Sequence, residues 1–154
     1  MAGTSPTLES LNLKALKGKK VAIISAQWHP EICDNLAAGA ELIFKAAQVE
    51  YETFTVSGSF ELPLAAQLAF DEGFDVAVIV GLVLRGETPH FDYVCQGVTQ
   101  GVMGVSLSRS KPIGFGVLMC DNLEQATARA GLPGSKEDKG YDSALAALSV
   151  LNKG

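Results

Sequence analysis

Val76-Ala-Val-Ile-Val-Gly-Leu-Val-Leu84 is the stretch that decides the fold. Its nine residues include nothing polar, so it lacks the alternation of a strand with one wet face. An unbroken aliphatic run this short reads as a central strand of a parallel sheet, buried on both faces. Shorter apolar runs flank it at 21–24, 51–56 and 113–118. The last contains Gly114 and Gly116, which weaken a strand but permit close backbone approach. Between the runs the period becomes that of a helix. Ile32, Leu36, Ala40, Ile43 and Ala47 mark residues 30–47, and Val94, Val98, Val102 and Val105 mark 91–108. Residues 62–70 carry Pro63 in their first turn, 123–130 stop at Gly131, and 140–151 are rich in alanine and leucine. This alternation predicts an α/β fold: a central four-stranded parallel sheet, helices on both faces and right-handed crossovers.

A length of 154 residues suits one domain. Hydrophobic and charged shares of 47% and 19% fit a packed globular chain rather than a disordered one. The net charge of -5 argues against a general nucleic-acid binder, whose affinity rests on neutralising phosphates. It leaves room for a small anion held by one or two local cations. Cys33, Cys95 and Cys120 are widely spaced and set in apolar stretches, with no C-x-x-C pair and only two histidines in the chain. They read as free thiols of a reducing compartment rather than as a zinc site. No apolar run of membrane-spanning length and no signal-peptide pattern opens the chain. The expectation is a cytoplasmic protein with no membrane partner and no bound metal.

Open parallel sheets bind ligands beyond the carboxyl ends of their strands, so the strand exits are where chemistry is expected. The first exit, Ala26-Gln-Trp-His-Pro30, carries the only tryptophan. Trp28 either stacks on a heterocycle or packs at a helix entrance, and His29 before Pro30 reads as a helix-start residue. The second exit, Gly58-Ser-Phe-Glu61, is a glycine turn running into a helix. Its N–H groups and carboxylate suit a polyol or a heterocycle edge, although Ser and Glu are also ordinary capping residues. The third, Arg85-Gly-Glu-Thr-Pro-His-Phe-Asp-Tyr93, is the richest. Thr88 is the expected cap and Pro89 fits the first turn, leaving free N–H groups of the kind that bind phosphate. His90 sits beside that anion site, and imidazole titrates close enough to neutrality to move protons. A scarce histidine in that position favours function over a structural role. Arg129, Lys136 and Lys139, taken alone, read as solvated charges. Gly97, Gly101 and Gly104 each cost a helix about 1 kcal/mol against alanine. Close approach of another helix explains such a cost, a subunit contact being one candidate.

Gly86-Glu-Thr-Pro-His-Phe-Asp-Tyr-Val94, preceded by Gly81-Leu-Val-Leu-Arg85, resembles the signature of the 6,7-dimethyl-8-ribityllumazine synthase family. The resemblance continues in Ser57-Gly-Ser-Phe-Glu-Leu-Pro63, Asn122-Leu-Glu-Gln-Ala126, Arg129-Ala-Gly131 and Lys139-Gly140, in the family's order and spacing. It implies a flavodoxin-like three-layer sandwich over residues 19–154, assembled as a homopentamer or a 60-subunit icosahedral shell with active sites between subunits. Residues 1–18 are then an N-terminal segment that is either flexible or adds an edge strand to a neighbouring subunit. The resemblance also implies roles for individual residues. Trp28 stacks on a pyrimidine ring; Ser59, Phe60 and Glu61 hold that ring and its ribityl chain; Leu82 and Val83 offer main-chain contacts. The backbone at Glu87 and Thr88 cradles a phosphate, with Arg129 as its cation and Lys139 near the same site. Phe115 is contributed by a neighbouring subunit, and His90 is the general acid–base. Met119-Cys120 departs from the small polar residues the family often has there.

The implied reaction condenses 5-amino-6-(D-ribitylamino)uracil with 3,4-dihydroxy-2-butanone 4-phosphate, with no cofactor and with riboflavin synthase as a candidate partner. Two rival readings use the same fold. A non-catalytic flavin or pterin carrier would not need His90, and an inactive shell protein could dispense with Arg129 as well. A flavodoxin-type electron carrier ranks last, because its phosphate loop would follow the first strand, where Trp28-His29-Pro30 stands.

Overall fold

In the computed structural model, which describes residues 7–151, the aliphatic run forms β3 (Val76–Leu84), its first seven residues buried. β1 (Lys20–Ala26) and β4 (Ile113–Cys120) pair with it in parallel, so that Ile79 stands opposite both Ile24 and Phe115. β2 (Glu50–Val56) completes the order β2-β1-β3-β4, which is flavodoxin-like. Along β3, Val78, Val80 and Leu82 face one core cluster and Ala77 and Ile79 the other. Two cores, one on each side of the sheet, are why every position of the run had to be apolar. β2 lies at an edge, and none of its residues is fully buried.

Helices α1 (Pro30–Ala47) and α5 (Lys139–Leu151) cover one face, packing Ile32, Leu36, Phe44, Leu145 and Leu148 against it. Helices α2 (Leu62–Asp71) and α3 (His90–Arg109) cover the other, with Leu62, Phe70, Val98 and Val102. The result is a three-layer α/β sandwich. At Gly114 helix α5 comes close to β4: a Cβ there would lie 2.5 Å from the Ser143 carbonyl oxygen. The chain passes from β1 outward to β2, then from β3 outward to β4 on the opposite side. Strand order therefore reverses between β1 and β3, which opens a crevice at their carboxyl ends.

Three local features differ from the expectation. Helix α3 begins at His90 with Pro89 as its N-cap, so Thr88 lies one residue outside the cap. Helix α4 (Leu123–Thr127) ends before Gly131. Gly131, at φ 72°, instead turns the chain into an isolated antiparallel bridge between Ala130 and Asp138. The close approaches at Gly97 and Gly101 are met within the chain: a Cβ would lie 2.8 Å from the Phe60 ring and 2.9 Å from Pro63 respectively. Gly104 faces open space. Upstream, Leu8–Ser10 and Leu13–Leu16 are 3-10 turns, and Leu11 and Leu16 are buried in the domain's own core. Residues 1–6 of the expected N-terminal segment lie outside the described residues.

Candidate active site

At the β1–β3 crevice a cavity of about 850 Å³ brings together most of the residues singled out in the sequence. Trp28, Ser59, Phe60, Glu61, Leu82, Val83, Thr88 and His90 all line it. Trp28 leaves β1 with its side chain two-thirds exposed (66%), and its carbonyl accepts a hydrogen bond from the Cys33 thiol at 3.1 Å. A large apolar ring left so open, at a cavity rim, is not packed at a helix entrance.

Beyond β2 the chain makes a single 3-10 turn, Ser59–Glu61. One Glu61 carboxylate oxygen, Oε1, accepts from the Gly58 N–H at 2.9 Å and closes that turn. The Ser59 hydroxyl, in contrast, is buried and without a hydrogen-bond partner among the described residues. It presses on Gly81, where a Cβ would lie 2.6 Å from Ser59 Oγ. A buried hydroxyl left unpaired costs about 1–3 kcal/mol, so an orphan on a cavity wall points to something the cavity binds.

The β3 exit is braced from outside. Arg85 Nε donates to Asp121 Oδ1 at 2.7 Å, Nη1 lies 3.5 Å from Asp92 Oδ1, and the guanidinium sits 4.4 Å over the Phe91 ring. The hydrogen bond from Arg85 holds the Asp121 carboxyl below the usual carboxylate range. Its side chain thus ties the starts of α3 and α4 together while standing outside the cavity lining. What faces the cavity is backbone and imidazole: Gly86, Thr88 and His90, with the His90 N–H 3.4 Å from Thr88 Oγ1. Glu87, between them, is exposed and outside the lining, an arrangement compatible with a role for its N–H alone.

His29, Tyr93, Val94 and Gly97 also line the cavity and were not singled out for it. His29 adopts φ 54°, a left-handed conformation uncommon outside glycine. Tyr93 was in reach of the sequence, since it stands one turn after His90 on the same helix face.

Three singled-out residues lie elsewhere. Phe115, Arg129 and Lys139 line a second cavity, of about 940 Å³, along the free edge of β4 against α5, with Met119 and Cys120 in its wall. Here a tight hairpin joins α4 to α5. The Lys139 N–H donates to the Arg129 carbonyl at 2.9 Å, and the N–H groups of Lys136 and Glu137 both reach the Ala128 carbonyl. Asp138 starts α5 by accepting from the Tyr141 N–H at 3.0 Å, and burial pushes its carboxyl above the usual range. Arg129 Nη1 donates to the Gln125 carbonyl at 2.8 Å. Lys136 is exposed and lies outside both linings. One chain therefore holds His90 and the two cations in separate cavities.

The three cysteines are free; Cys33 and Cys120 are buried, and burial pushes the Cys33 thiol up to about 12. Among the described residues no helix is long and apolar enough to cross a membrane, and no group of three or more His, Cys, Asp or Glu side chains could hold a metal ion.

Residues 18–153 match the family described as 6,7-dimethyl-8-ribityllumazine synthase. The chain belongs to that family. A lumazine synthase of Nocardioides sp. is 51% identical over 130 residues, 84% of this chain and 81% of that protein. One of Micrococcus luteus is 50% identical over 149 residues, 96% and 93% of the two chains. One of Streptomyces coelicolor is 46% identical over 141 residues, 91% and 88%. As a member of the lumazine synthase family the chain is an enzyme, a transferase of riboflavin biosynthesis.

Proposed function

We propose that the chain condenses 5-amino-6-(D-ribitylamino)uracil with 3,4-dihydroxy-2-butanone 4-phosphate, giving 6,7-dimethyl-8-ribityllumazine, inorganic phosphate and two waters. The observation that carries this reading is the first cavity, in which an exposed indole, an orphan buried hydroxyl and a histidine at a helix start face one space. Trp28 and Phe60 stack on or flank the pyrimidine. Ser59 and the free oxygen of Glu61 meet polar edges of the ring and its ribityl hydroxyls, and main-chain groups of Leu82 and Val83 meet the ring. The first N–H groups of α3, with those of Glu87 and Thr88, receive the phosphate.

The uracil's primary amine attacks the ketone and loses water to form an imine. A proton is then removed from carbon, the phosphate leaves with its bond electrons, and the ribityl-bearing nitrogen closes the second ring with loss of the other water. His90 takes and returns protons in these steps. The amine is already a nucleophile, so the protein's tasks are orientation, charge neutralisation and proton transfer. Holding two reactants together supplies several kcal/mol, and a positioned acid–base about 10²- to 10⁴-fold in rate. None of these tasks calls on a metal or an organic cofactor.

The site is complete only between two copies, with Phe115, Arg129 and Lys139 of one chain facing the first cavity of the next. Large exposed apolar side chains on α2 and α3 (Leu64, Leu68, Met103 and Leu107) support association into a homo-oligomer, a pentamer or a shell of pentamers, in the cytoplasm. Riboflavin synthase, which would consume the product, is the partner this reading suggests.

The test is absorbance and fluorescence of the purified protein with both substrates and no added metal. Lumazine and stoichiometric phosphate should appear above the spontaneous rate. A well-folded, assembled protein that gives no acceleration would sink the reading in favour of a flavin carrier.

A further inference from the structure

One group beside the two cations has no part in that scheme. Glu137 reaches both of them: Oε1 lies 3.5 Å from Lys139 Nζ, and Oε2 lies 3.9 Å from Arg129 Nε. A carboxylate spanning two cations with one oxygen each has the form of a bound oxyanion. Its backbone is fixed independently, since the Glu137 N–H donates to Ala128 and its carbonyl accepts from Gly131. The side chain is over a third exposed (38%), so it can swing away without disturbing the core.

We infer that Glu137 is an internal counter-ligand of the phosphate site, occupying Arg129 and Lys139 between turnovers and competing with the phosphate for them. This rests on the reading of Arg129 as the phosphate's cation, with Lys139 near the same site. Removing the carboxylate does not leave the cations unplaced. Arg129 keeps its bond to the Gln125 carbonyl, and Lys139 keeps its N–H on the Arg129 carbonyl. What disappears is an intramolecular competitor and a negative charge facing a dianion, so affinity for phosphate should rise. For a reaction that ends with free phosphate, the carboxylate has a use: it re-forms its ion pairs as the product departs, which keeps product inhibition weak.

The experiment is calorimetric titration of the assembled full chain with inorganic phosphate, using wild type, Glu137→Gln, Arg129→Ala and Glu124→Gln. Exposed ion pairs are individually weak, so the gain expected for Glu137→Gln is about three- to tenfold tighter binding, with stronger inhibition by product phosphate. Glu124→Gln removes the same charge from a residue that makes no ion pair with either cation among the described residues, and should leave affinity unchanged. A general loss of structure would weaken binding, so a gain is a signature that damage cannot mimic. Unchanged or weaker binding in Glu137→Gln, or an equal gain in Glu124→Gln, overturns the inference. If Arg129→Ala binds phosphate as wild type does, the assignment of the cations fails and the counter-ligand fails with it. If Arg129→Ala loses affinity while Glu137→Gln gains none, only the counter-ligand fails.

Discussion

The two cavities are close in size, about 850 and 940 Å³, and nearly opposite in character. The first, at the carboxyl ends of β1 and β3, offers an indole, two phenyl rings, a phenol, a buried hydroxyl and two histidines. Arg85, between the lining residues Leu84 and Gly86, is already committed to Asp121 and Asp92. The second, along the free edge of β4, offers Arg129, Lys139 and a phenylalanine on a largely aliphatic wall, with no histidine; its third cation, Lys111, donates to the Phe70 and Phe74 carbonyls, and Asp142 is its one carboxylate. One has the groups to bind a heterocycle and move a proton; the other has the charge to hold an anion. In the proposed reaction neither does the work alone, and the difference assigns turnover to one and anchoring to the other.

The sharpest break of that assignment is expected from His90→Ala. Its kcat should fall about 10²- to 10⁴-fold with little change in KM for the sugar phosphate, as steady-state assays would show. A loss far beyond that range would give the histidine a larger task than proton transfer. Mixing denatured His90→Ala and Arg129→Ala chains and refolding them together comes next. If the cavities meet between copies, about a quarter of the sites receive both intact halves and activity returns to that fraction of wild type. Activity no higher than the sum of the two variants would confine the site to one chain. Arg129→Ala alone should raise KM for the sugar phosphate about 10- to 100-fold and spare kcat, as expected for loss of a charge-assisted hydrogen bond. Trp28→Ala should weaken pyrimidine binding about tenfold, measured with a non-reacting uracil analogue, if its exposed ring stacks as proposed.

The smallest effect concerns the hairpin beneath the second cavity. Burial raises the Asp138 carboxyl, so between the unfolded and folded titrations the folded chain holds the extra proton. Stability should therefore decline as pH rises through that window. Asp138→Asn, which still caps α5, should flatten this part of the melting-temperature profile. An unaltered profile would remove Asp138 as its source.

Much of this was legible from the chain, for identifiable reasons. β3 announced itself because burial on both faces demands an apolar residue at each position, and the strand exits followed from the topology that β3 implies. His90 and Thr88 could be found because a helix start and an anion site share one sequence pattern. The residues that escaped depend on direction rather than on type. His29 lines the cavity from a left-handed backbone conformation that its residue type does not advertise. Gly97 and Gly101 suggested close approach of another helix: at Gly101 that helix is α2, through Pro63, whereas at Gly97 the Phe60 ring from the turn before α2 fills the place. The separation of Arg129 and Lys139 from His90 depends on where β4 ends up relative to β3, a long-range fact that no local spacing records.

A site split between copies, as proposed, would have a consequence for counting. A row of chains joined head to tail, each presenting its first cavity to the next chain's second, leaves one unmatched half at each end. A row of n chains then has n − 1 working sites, and a lone chain has none. Closing the row into a ring removes both loose ends and adds one site without a new residue. Ring closure would then show up as a step in specific activity as the protein is concentrated, before any further growth of the particle.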